Sequence, residues 1–405
     1  MSGDPIVVQK YGGSSVADTE KIKEVARRII RTKEAGKLVV VVVSAMGDTT
    51  NRLLNMAKEM GAEPSVRELD MLLSVGERIS MTLLSVTLNE MGHPAKSFTG
   101  SQSGIITDTI HANARIIEVR PQRIYNALES GLIVIVAGYQ GVSVAGEVTT
   151  LGRGGSDTSA VALAAALDAE YLEICSDVDG VLSADPRIVD DAEKIEQLSF
   201  EEMQEMAEAG AKVLNSAAVE YAKQAGIEIH SVSTFGGGTG TVVGDFVNKV
   251  KTGIVRAVVS EREIASVMSK GKYDLDDMRG VLDYLDHYGV AYKQYDLSSV
   301  DGSGFSFSFI IPLENLHGYE SIKRELSQQY PGRLTFYEEW AALSLIGEGI
   351  INDGRNIKQS LSILIAAGIP VYDIHTSRFR ISALVDRDRL DDAVRICHRT
   401  FVKKR

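Results

Sequence analysis

The segment from Leu151 to Ser159 combines backbone freedom, hydroxyl groups and charge in a way that suits phosphate binding. Its glycines permit backbone angles that other residues avoid, and the apolar run 160–167 behind it is strongly helix-forming. The pattern therefore predicts a tight turn that opens a helix and points backbone N–H groups at one spot. An ordinary capped helix would give the same pattern. Arg153 and Asp157 favour a functional turn, because packing does not require charges at these positions.

Two further strand-to-helix corners carry polar groups. Residues 6–15 are predicted to form a buried strand that breaks at a Gly-Gly turn, so Lys10 lies at the carboxyl end of that strand. A second strand, 38–43, leads into the small and hydroxyl residues of 44–50. Ligands usually bind at the carboxyl edge of an open α/β sheet, where a lysine can meet phosphate oxygens. A solvated lysine at a strand end is the structural alternative.

Carboxylates occur in two other places. A long amphipathic helix is predicted over 65–89, and Gly76 weakens it unless another segment must approach closely. The adjacent Glu77 could be ordinary charge on a helix surface. The acidic loop 176–180 begins like a calcium loop, but Ile188 stands where that loop needs a glutamate, which excludes the interpretation. Neither a P-loop nor a GxGxxG motif occurs in the sequence.

The elements that position these residues follow one pattern up to about residue 250. Buried strands alternate with helices, which predicts an α/β domain whose central sheet is mostly parallel. Beyond Val250, a pattern of strand, helix, two strands and helix occurs twice with an offset of roughly 78 residues. The first copy is predicted to begin with a strand over 254–268. This repeat predicts two small α+β units of the ferredoxin type, to which we assign binding or assembly rather than chemistry.

Composition narrows the class of protein. A chain of 405 residues is long enough for two or three domains, and a net charge of −12 argues against a nucleic-acid-binding surface. The two cysteines, Cys175 and Cys397, form no CxxC motif, which indicates a reducing compartment and no structural zinc. The apolar run 38–43 is too short to span a bilayer, so we expect a cytoplasmic protein.

Six motifs, taken together and in order, closely resemble the motif set of the aspartate kinases. The resemblance implies an amino-acid-kinase domain over 1–248, with a three-layer fold, followed by two ferredoxin-like ACT domains over 253–340 and 341–405 whose boundaries can interleave. It also implies transfer of the ATP γ-phosphoryl group to the β-carboxylate of L-aspartate with Mg²⁺, the first step toward lysine, threonine and methionine. The motifs are Lys10-Tyr11-Gly12-Gly13-Ser14-Ser15, Ser44-Ala45-Met46-Gly47-Asp48-Thr49-Thr50, Gly76-Glu77-Arg78-Ile79-Ser80, Leu151-Gly152-Arg153-Gly154-Gly155-Ser156-Asp157, Ser176-Asp177-Val178-Asp179-Gly180 and Gly210-Ala211-Lys212-Val213-Leu214.

The resemblance also implies a role for individual residues. Lys10, Asp157 and Lys212 are the expected catalytic residues: the lysines neutralise phosphate charge and Asp157 organises them. Many relatives carry an aromatic residue near the adenosine where this chain has Leu182. No residue is identified directly as a metal ligand. The expected nucleotide-binding residues are Lys10, Tyr11, Gly12, Gly13, Ser44, Gly154, Gly155, Ser176, Asp177, Asp179, Arg187 and Lys212.

On the side of the amino-acid substrate, the resemblance implies that Glu77 holds the ammonium group and Arg153 the α-carboxylate, with Thr50 and Ser156 as neighbours. Elementary chemistry agrees with this inventory. A carboxylate nucleophile is already ionised at neutral pH, so it needs no general base and the site needs no catalytic histidine. It needs alignment with the phosphate, together with cations and N–H dipoles around a loose phosphoryl transition state.

The regulatory half departs from the family pattern. Many relatives carry a proline-glycine turn and an asparagine-bearing strand where lysine or threonine binds, and here the corresponding segments are 269–274 and 290–295, which lack both features. We therefore predict weak or absent feedback by lysine at that site. A homodimer or higher homo-oligomer formed through the ACT domains is the expected assembly.

Two alternative functions follow from the same residues. The first is a kinase of the same fold that acts on glutamate, acetylglutamate, carbamate or a nucleoside monophosphate; Glu77, Arg153 and the tandem repeat argue against it. The second is a catalytically inactive amino-acid sensor, and the presence of Lys10, Asp157 and Lys212 argues against that.

Overall fold

The chain folds into two compact units. The first unit comprises most of residues 1–250, and the second comprises 251–405 together with the segments 183–193 and 209–211. The computed structural model describes residues 4–61, 64–152, 154–246, 253–271, 273–299, 304–314, 316, 318–352 and 354–403.

The first unit contains both sheet and helix throughout its length. Its strands are β1 (Ile6–Tyr11), β2 (Leu38–Val43), β3 (Ala95–Phe98), β4 (Ile105–Thr107), β5 (Ile116–Val119), β6 (Ile133–Ala137), β7 (Gln140–Ser143), β8 (Val148–Thr150), β9 (Tyr171–Ser176), β10 (Val181–Leu182), β11 (Lys194–Ile195), β12 (Gln197–Ser199), β13 (Ile229–Ser233) and β14 (Thr241–Gly244). Its helices are α1 (Thr19–Glu34), α2 (Thr49–Met60), α3 (Val66–Leu73), α4 (Val75–Glu90), α5 (Gly100–Ser103), α6 (Gln122–Glu129), α7 (Gly155–Ala166), α8 (Phe200–Glu208) and α9 (Ser216–Ala225), and a 3₁₀ turn spans Gly13–Val16.

The central sheet has the strand order β12-β14-β13-β9-β1-β2-β6-β3, and only β13 and β14 run antiparallel to each other among these described strands. The inner strand β2 is a run of valines, as expected for a parallel strand that is buried on both faces. Val39, Val41 and Val43 pack with α1 and α4 in one core cluster. Helix α7, which lies outside that cluster, contacts β1, β2 and β9 from the other face. The predicted mostly parallel α/β sheet between helical layers is confirmed.

The helix predicted over 65–89 is two helices in the structure, α3 and α4, which meet at Ser74. Ser74 itself keeps helical angles, so α3 passes into α4 without a loop. The stretch 66–90 is long and apolar enough to cross a membrane by length and composition, and 44% of its most apolar window is buried inside the fold. A core helix of a soluble protein passes the same test.

The second unit contains two four-stranded antiparallel sheets. The sheets have the strand orders β15-β20-β22-β21 and β17-β18-β16-β19. Its elements are β15 (Ala257–Glu261), β16 (Ile264–Ser269), α10 (Leu275–His287), β17 (Lys293–Ser299), β18 (Phe305–Pro312), α11 (Tyr319–Gln329), β19 (Leu334–Tyr337), β20 (Trp340–Ile346), α12 (Arg355–Ala366), β21 (Val371–Thr376), β22 (Arg380–Asp386), a 3₁₀ turn (Arg387–Arg389) and α13 (Leu390–Phe401).

One sheet is inserted within the other along the chain, because β16 to β19 all lie between β15 and β20. The predicted single strand 254–268 is instead two strands, β15 and β16, that belong to different sheets. Strand β15 pairs with β20, from Ala257 opposite Ile346 to Glu261 opposite Ala342. A division into contiguous units at 340/341 would therefore separate β15 from the sheet that it completes. The pattern of apolar residues could not reveal this exchange, because both strands are apolar and only two residues separate them.

Candidate active site

The polar corners predicted from sequence meet at the carboxyl edge of the central sheet. In the parallel register Lys10 lies opposite Val42 on one side and Ile174 on the other, and Val43 lies opposite Ala137. The loops that follow β1, β2, β6 and β9 therefore leave the sheet side by side. Backbone hydrogen bonds continue one step past the strands, as the amide of Ser44 donates to the Tyr11 carbonyl at 3.0 Å.

Lys10 and Asp157 form an ion pair at the centre of this edge. The lysine Nζ lies 2.6 Å from the Asp157 carboxylate, and each side chain is only 13% exposed. Asp157 stands in the first turn of α7, where the helix dipole stabilises a negative charge. Asp157, one of the two charged residues singled out in the glycine-rich segment, thus pairs with a lysine from β1. Arg153 itself lies outside the described residues.

Glycines allow the loops at this edge to come close together. A side chain at Gly13 would place its Cβ 2.9 Å from the Ala45 carbonyl oxygen, and the amide of Gly47 donates to the Gly13 carbonyl at 3.0 Å. Gly154 caps α7 in a left-handed conformation with φ 72°. The corners after β1 and β2 and the start of α7 thus bring backbone groups into one small region.

Tyr11 does not belong to this polar edge through its side chain. The ring is fully buried in the core cluster, and its hydroxyl donates to the Gln9 side chain at 3.2 Å. Burial raises the pKa of the Tyr11 hydroxyl well above its usual value. Gly12, Gly13 and Ser44, in contrast, retain partial exposure at the edge.

Glu77 presents a buried carboxylate at the same edge. It is 3% exposed; the Ala45 amide donates to Oε1 at 3.1 Å, while Oε2 has no hydrogen-bond partner among the described residues. Burial raises the pKa of this carboxyl to about 7. The close approach suspected at Gly76 is present, because a Cβ there would lie 2.8 Å from that of Ala45. A buried acid with one unsatisfied oxygen is suited to receive a cationic donor.

The two smaller predicted residues, Ser156 and Thr50, lie in the first turns of α7 and α2. Ser156 in α7 faces the corner after β6, since its Oγ lies 2.9 Å from where a Cβ on Gly138 would stand. Thr50 lies in the first turn of α2 and is partly exposed. Ser80, which was not predicted as a site residue by itself, donates to the carbonyl of Ser44 at 2.7 Å. This hydrogen bond joins α4 to the corner after β2.

The loop after β9 forms a second charged group. Asp179 pairs with Lys194 at 2.8 Å, and this lysine also donates to Thr239 Oγ1 at 3.2 Å. The hydrogen bond from Lys194 is the main reason why the pKa of the Asp179 carboxyl lies below its usual value. The backbone of Gly238 lies directly against the Asp179 carboxylate. Sequence analysis missed Lys194 because it belongs to a two-residue strand with no motif of its own.

The remaining predicted nucleotide residues divide between the two units. Ser176 is the last residue of β9, and Asp177, which follows it, is exposed. Lys212 is exposed just before Asn215, whose side chain lies against Gly154, so the 212–215 turn reaches the start of α7. Arg187 belongs to the second unit, where it forms an ion pair with Asp185 at 2.6 Å.

Comparison with known proteins supports one assignment. Residues 5–233 match the model of the amino acid kinase family. The chain is 43% identical to an aspartokinase of Mycolicibacterium smegmatis, over 98% of this chain and 96% of that protein, and 41% identical to the aspartokinase of Corynebacterium glutamicum over the same shares. Its fold resembles E. coli aspartokinase III in complex with aspartate and ADP, with a TM-score of 0.81, 24% identity and coverage of 97% of this chain and 99% of that one. The chain therefore belongs to the amino acid kinase family and, within it, to the aspartokinases.

Proposed function

We propose that this protein transfers the γ-phosphoryl group of ATP to the β-carboxylate of L-aspartate and releases 4-phospho-L-aspartate. The observation that carries the proposal is the buried Glu77 carboxylate, which lies at the same sheet edge as Lys10 and Asp157 and has one oxygen with no hydrogen-bond partner in the described part of the chain. A cation site beside a phosphate site suits an amino acid that accepts a phosphoryl group. The identity to aspartokinases along nearly the whole chain supports aspartate as that amino acid.

The substrate would be held at three points. Glu77 receives the ammonium group, because Oε2 is a buried acceptor with no donor among the described residues. Arg153, with its planar fork, binds the α-carboxylate, and Thr50 and Ser156 complete this side. The β-carboxylate is left facing the phosphate region around Lys10.

The residues near Lys10 would supply charge and alignment rather than proton transfer. The aspartate β-carboxylate is ionised at neutral pH, so its oxygen can attack the γ-phosphorus directly while ADP leaves. Lys10 and Lys212 neutralise the oxygens of the transferring group, and Asp157 holds Lys10 in place at 2.6 Å. Gly12, Gly13, Ser44, Gly154 and Gly155 are the remaining proposed contacts of the phosphates. The amides of Gly12, Ser44 and Gly155 already donate to the carbonyls of Cys175, Tyr11 and Gly152.

Magnesium would accompany the nucleotide. Within the described ranges no group of three or more His, Cys, Asp or Glu side chains could hold a metal ion. Mg²⁺ needs only one or two carboxylates when phosphates and water supply its other ligands, so the residues present fit a metal that arrives with ATP. Asp157 and the carboxylates of the 176–180 loop are the acids available on the nucleotide side, and the bound ion would neutralise phosphate charge. Ser176, Asp177, Asp179 and Arg187 are the proposed nucleotide contacts there.

A coupled assay of ADP release tests the proposal. Aspartate should support ADP release and glutamate should not, and hydroxylamine added to the reaction should trap an acyl hydroxamate. ADP release that depends on glutamate, acetylglutamate or carbamate would identify another kinase of this fold. No ADP release with any of them would favour an inactive sensor.

Binding of aspartate should depend on pH in a way that binding of ATP does not. Because the pKa of Glu77 lies at about 7, its carboxyl loses its charge as the pH falls below that value. The KM for aspartate is therefore expected to rise toward about tenfold per pH unit below neutrality, while the KM for ATP changes by less than about threefold. Initial rates measured between about pH 6 and pH 8 check this. A flat KM for aspartate across that range would contradict the assigned role of Glu77.

Feedback by lysine should be weak. The segment that replaces the family's asparagine-bearing strand contains Gln294, which adopts φ 53° at a bulge in β17 and donates to Ser382 Oγ at 3.2 Å. This side chain is engaged within the unit and differs from the expected asparagine. Millimolar lysine is expected to leave the initial rate nearly unchanged, whereas inhibition by micromolar lysine would refute the prediction. Threonine and methionine, added singly and with lysine, complete the same experiment.

We further propose a cytoplasmic homo-oligomer that assembles through the ACT domains.

A further inference from the structure

Asp70 is a completely buried carboxylate that the proposed reaction does not use. It lies on α3 and accepts hydrogen bonds from three groups. His111 Nδ1 lies 2.6 Å from Oδ2, Thr150 Oγ1 donates to Oδ1 at 2.6 Å, and the Ala112 amide lies 3.1 Å and 3.2 Å from the two oxygens. A buried acid with this many donors is satisfied only if all of its partners keep their places.

The hydrogen bonds from His111 and Ala112 to Asp70 fix the loop 108–115. Ala112 adopts φ 63°, a left-handed conformation that alanine rarely takes, and its amide is the one that donates to Asp70. The next residue, Asn113, places Oδ1 2.5 Å from where a Cβ on Gly152 would stand. Asp108 closes the other part of the loop by accepting from the amides of Ile110 and Arg115, both at 3.2 Å. Asp70 thus holds Asn113 against the glycine-rich turn.

The hydrogen bond from Thr150 to Asp70 fixes the strand that leads into the glycine-rich turn. Thr150 is the last residue of β8 and is fully buried. Its carbonyl accepts from the Ala114 amide at 2.9 Å, and the amide of Leu151 donates to the Tyr139 carbonyl at 2.9 Å. Asp70 therefore anchors the entry of the glycine-rich turn as well as the loop beside it.

The same carboxylate is joined to Glu77. α3 continues through Ser74 into α4, so Asp70 stands seven residues before Glu77 in one nearly continuous helical stretch. Gln140 Nε2, from the segment after β6, donates to the Ser74 carbonyl at 2.9 Å and fixes the junction. Asp70 thus links the glycine-rich turn to the helical stretch that carries Glu77.

We propose that Asp70, with His111 and Thr150, is a positioning group for the amino-acid substrate. It sets the distance between the Glu77 carboxylate, which receives the ammonium, and the glycine-rich turn, which receives the rest of the molecule. The inference rests on the proposed function, because it requires an amino acid held between these two elements. Asp70 does not touch the reacting atoms. Its loss should impair use of aspartate more than use of ATP.

Adjacent threonines in β8 provide a matched pair of variants. Thr150→Val removes the hydroxyl that donates to Asp70, while Thr149→Val removes the hydroxyl of an equally buried threonine that pairs with Thr107 at 2.7 Å. Both changes preserve shape. Thr150→Val is expected to raise the KM for aspartate about five- to tenfold and the KM for ATP less than about twofold. Thr149→Val should leave both KM values near those of the parent protein.

A second pair of variants separates positioning from folding. His111→Asn retains an N–H donor near the place of Nδ1, and His111→Leu does not. The KM for aspartate should rise in the leucine variant and stay close to the parental value in the asparagine variant. Melting temperatures are recorded for all four Thr and His variants. If Thr150→Val and His111→Leu lower the melting temperature but leave both KM values unchanged, Asp70 is only structural. If both KM values rise together, the positioning is not specific to the amino acid. If the parent protein fails to turn over aspartate at all, the proposed function fails first.

Discussion

Replacement of Lys10 with alanine is expected to lower kcat about 10²- to 10³-fold, the usual effect of removing one charged donor from a phosphoryl or oxyanion site. The Lys10 ammonium lies 2.6 Å from the Asp157 carboxylate, and both side chains are largely shielded from water. Shielding makes each charge contribution larger than it would be at a solvated surface. Initial rates of ADP release at saturating aspartate and ATP measure the effect.

Lys37→Ala is the matched control for this variant. Lys37 precedes β2 and forms an ion pair with Glu170 at 2.5 Å, with neither side chain placed in the proposed site. Such exposed pairs contribute little. The control should retain the parental rate, and circular dichroism should show that both variants are folded. A Lys10→Ala protein with parental kcat would refute the phosphate site proposed here.

Replacement of Glu77 with glutamine should raise the KM for aspartate and leave the KM for ATP nearly unchanged. The amide keeps the shape of the side chain and removes the negative charge that receives the ammonium. Loss of one partner of a desolvated charge pair costs about 2 to 5 kcal/mol, so the KM for aspartate should rise at least about 30-fold. The KM for ATP should stay within about twofold. An unchanged KM for aspartate would exclude Glu77 as the ammonium site.

The same substitution should stabilise the unliganded protein at alkaline pH. The Glu77 carboxyl has a pKa of about 7 when folded, against an ordinary value of 4.5. Between these values the folded state binds more protons than the unfolded state, so the unfolding free energy falls as the pH rises through this window. Glutamine does not titrate, and at about pH 8 the variant should gain about 1 to 3 kcal/mol over the parent, with the gain lost near pH 5.

Urea unfolding at both pH values measures this difference. Glu202→Gln is the control, because Glu202 is a buried carboxylate whose Oε2 accepts from the Ser199 amide. Its loss should lower stability at both pH values and leave the KM for aspartate unchanged. If Glu77→Gln were also destabilising at alkaline pH, the carboxyl would not carry the desolvation that burial implies.

Several parts of the site could be predicted because they depend on local sequence. A glycine turn before an apolar helix specifies its own geometry, and a lysine between a short apolar run and a Gly-Gly turn falls at a strand end, so Lys10 and Asp157 could be singled out. Their mutual pairing could not, because nothing in the sequence shows that β1 lies beneath the start of α7. Tyr11 shows the reverse case. It lies within a motif, yet the alternation of β1 turns its ring into the core.

Long-range contacts explain the other differences. Asp70 looks like a surface charge in an amphipathic helix, and only its contacts with His111 and Thr150, 41 and 80 residues further along, show that it is buried and satisfied. Lys194 becomes informative only beside Asp179. In the second unit, β15 and β16 have the same apolar character, and their separation into two sheets depends on partners such as β20 that lie about 80 residues away.

The insertion of one sheet within the other has a consequence for how the second unit can be divided or recombined. Strand β15 precedes all of the sheet built by β17, β18, β16 and β19, but its hydrogen bonds go to β20. Truncation after residue 340 would leave β15 an unpaired apolar edge, which is prone to self-association. The unit built on β15, β20, β21 and β22 is therefore split along the chain, whereas the unit built on β16 to β19 is contiguous over 264–337 and is inserted within it. The inserted unit can be exchanged as one piece, whereas the unit that surrounds it cannot be moved without cutting the chain on both sides of the insert.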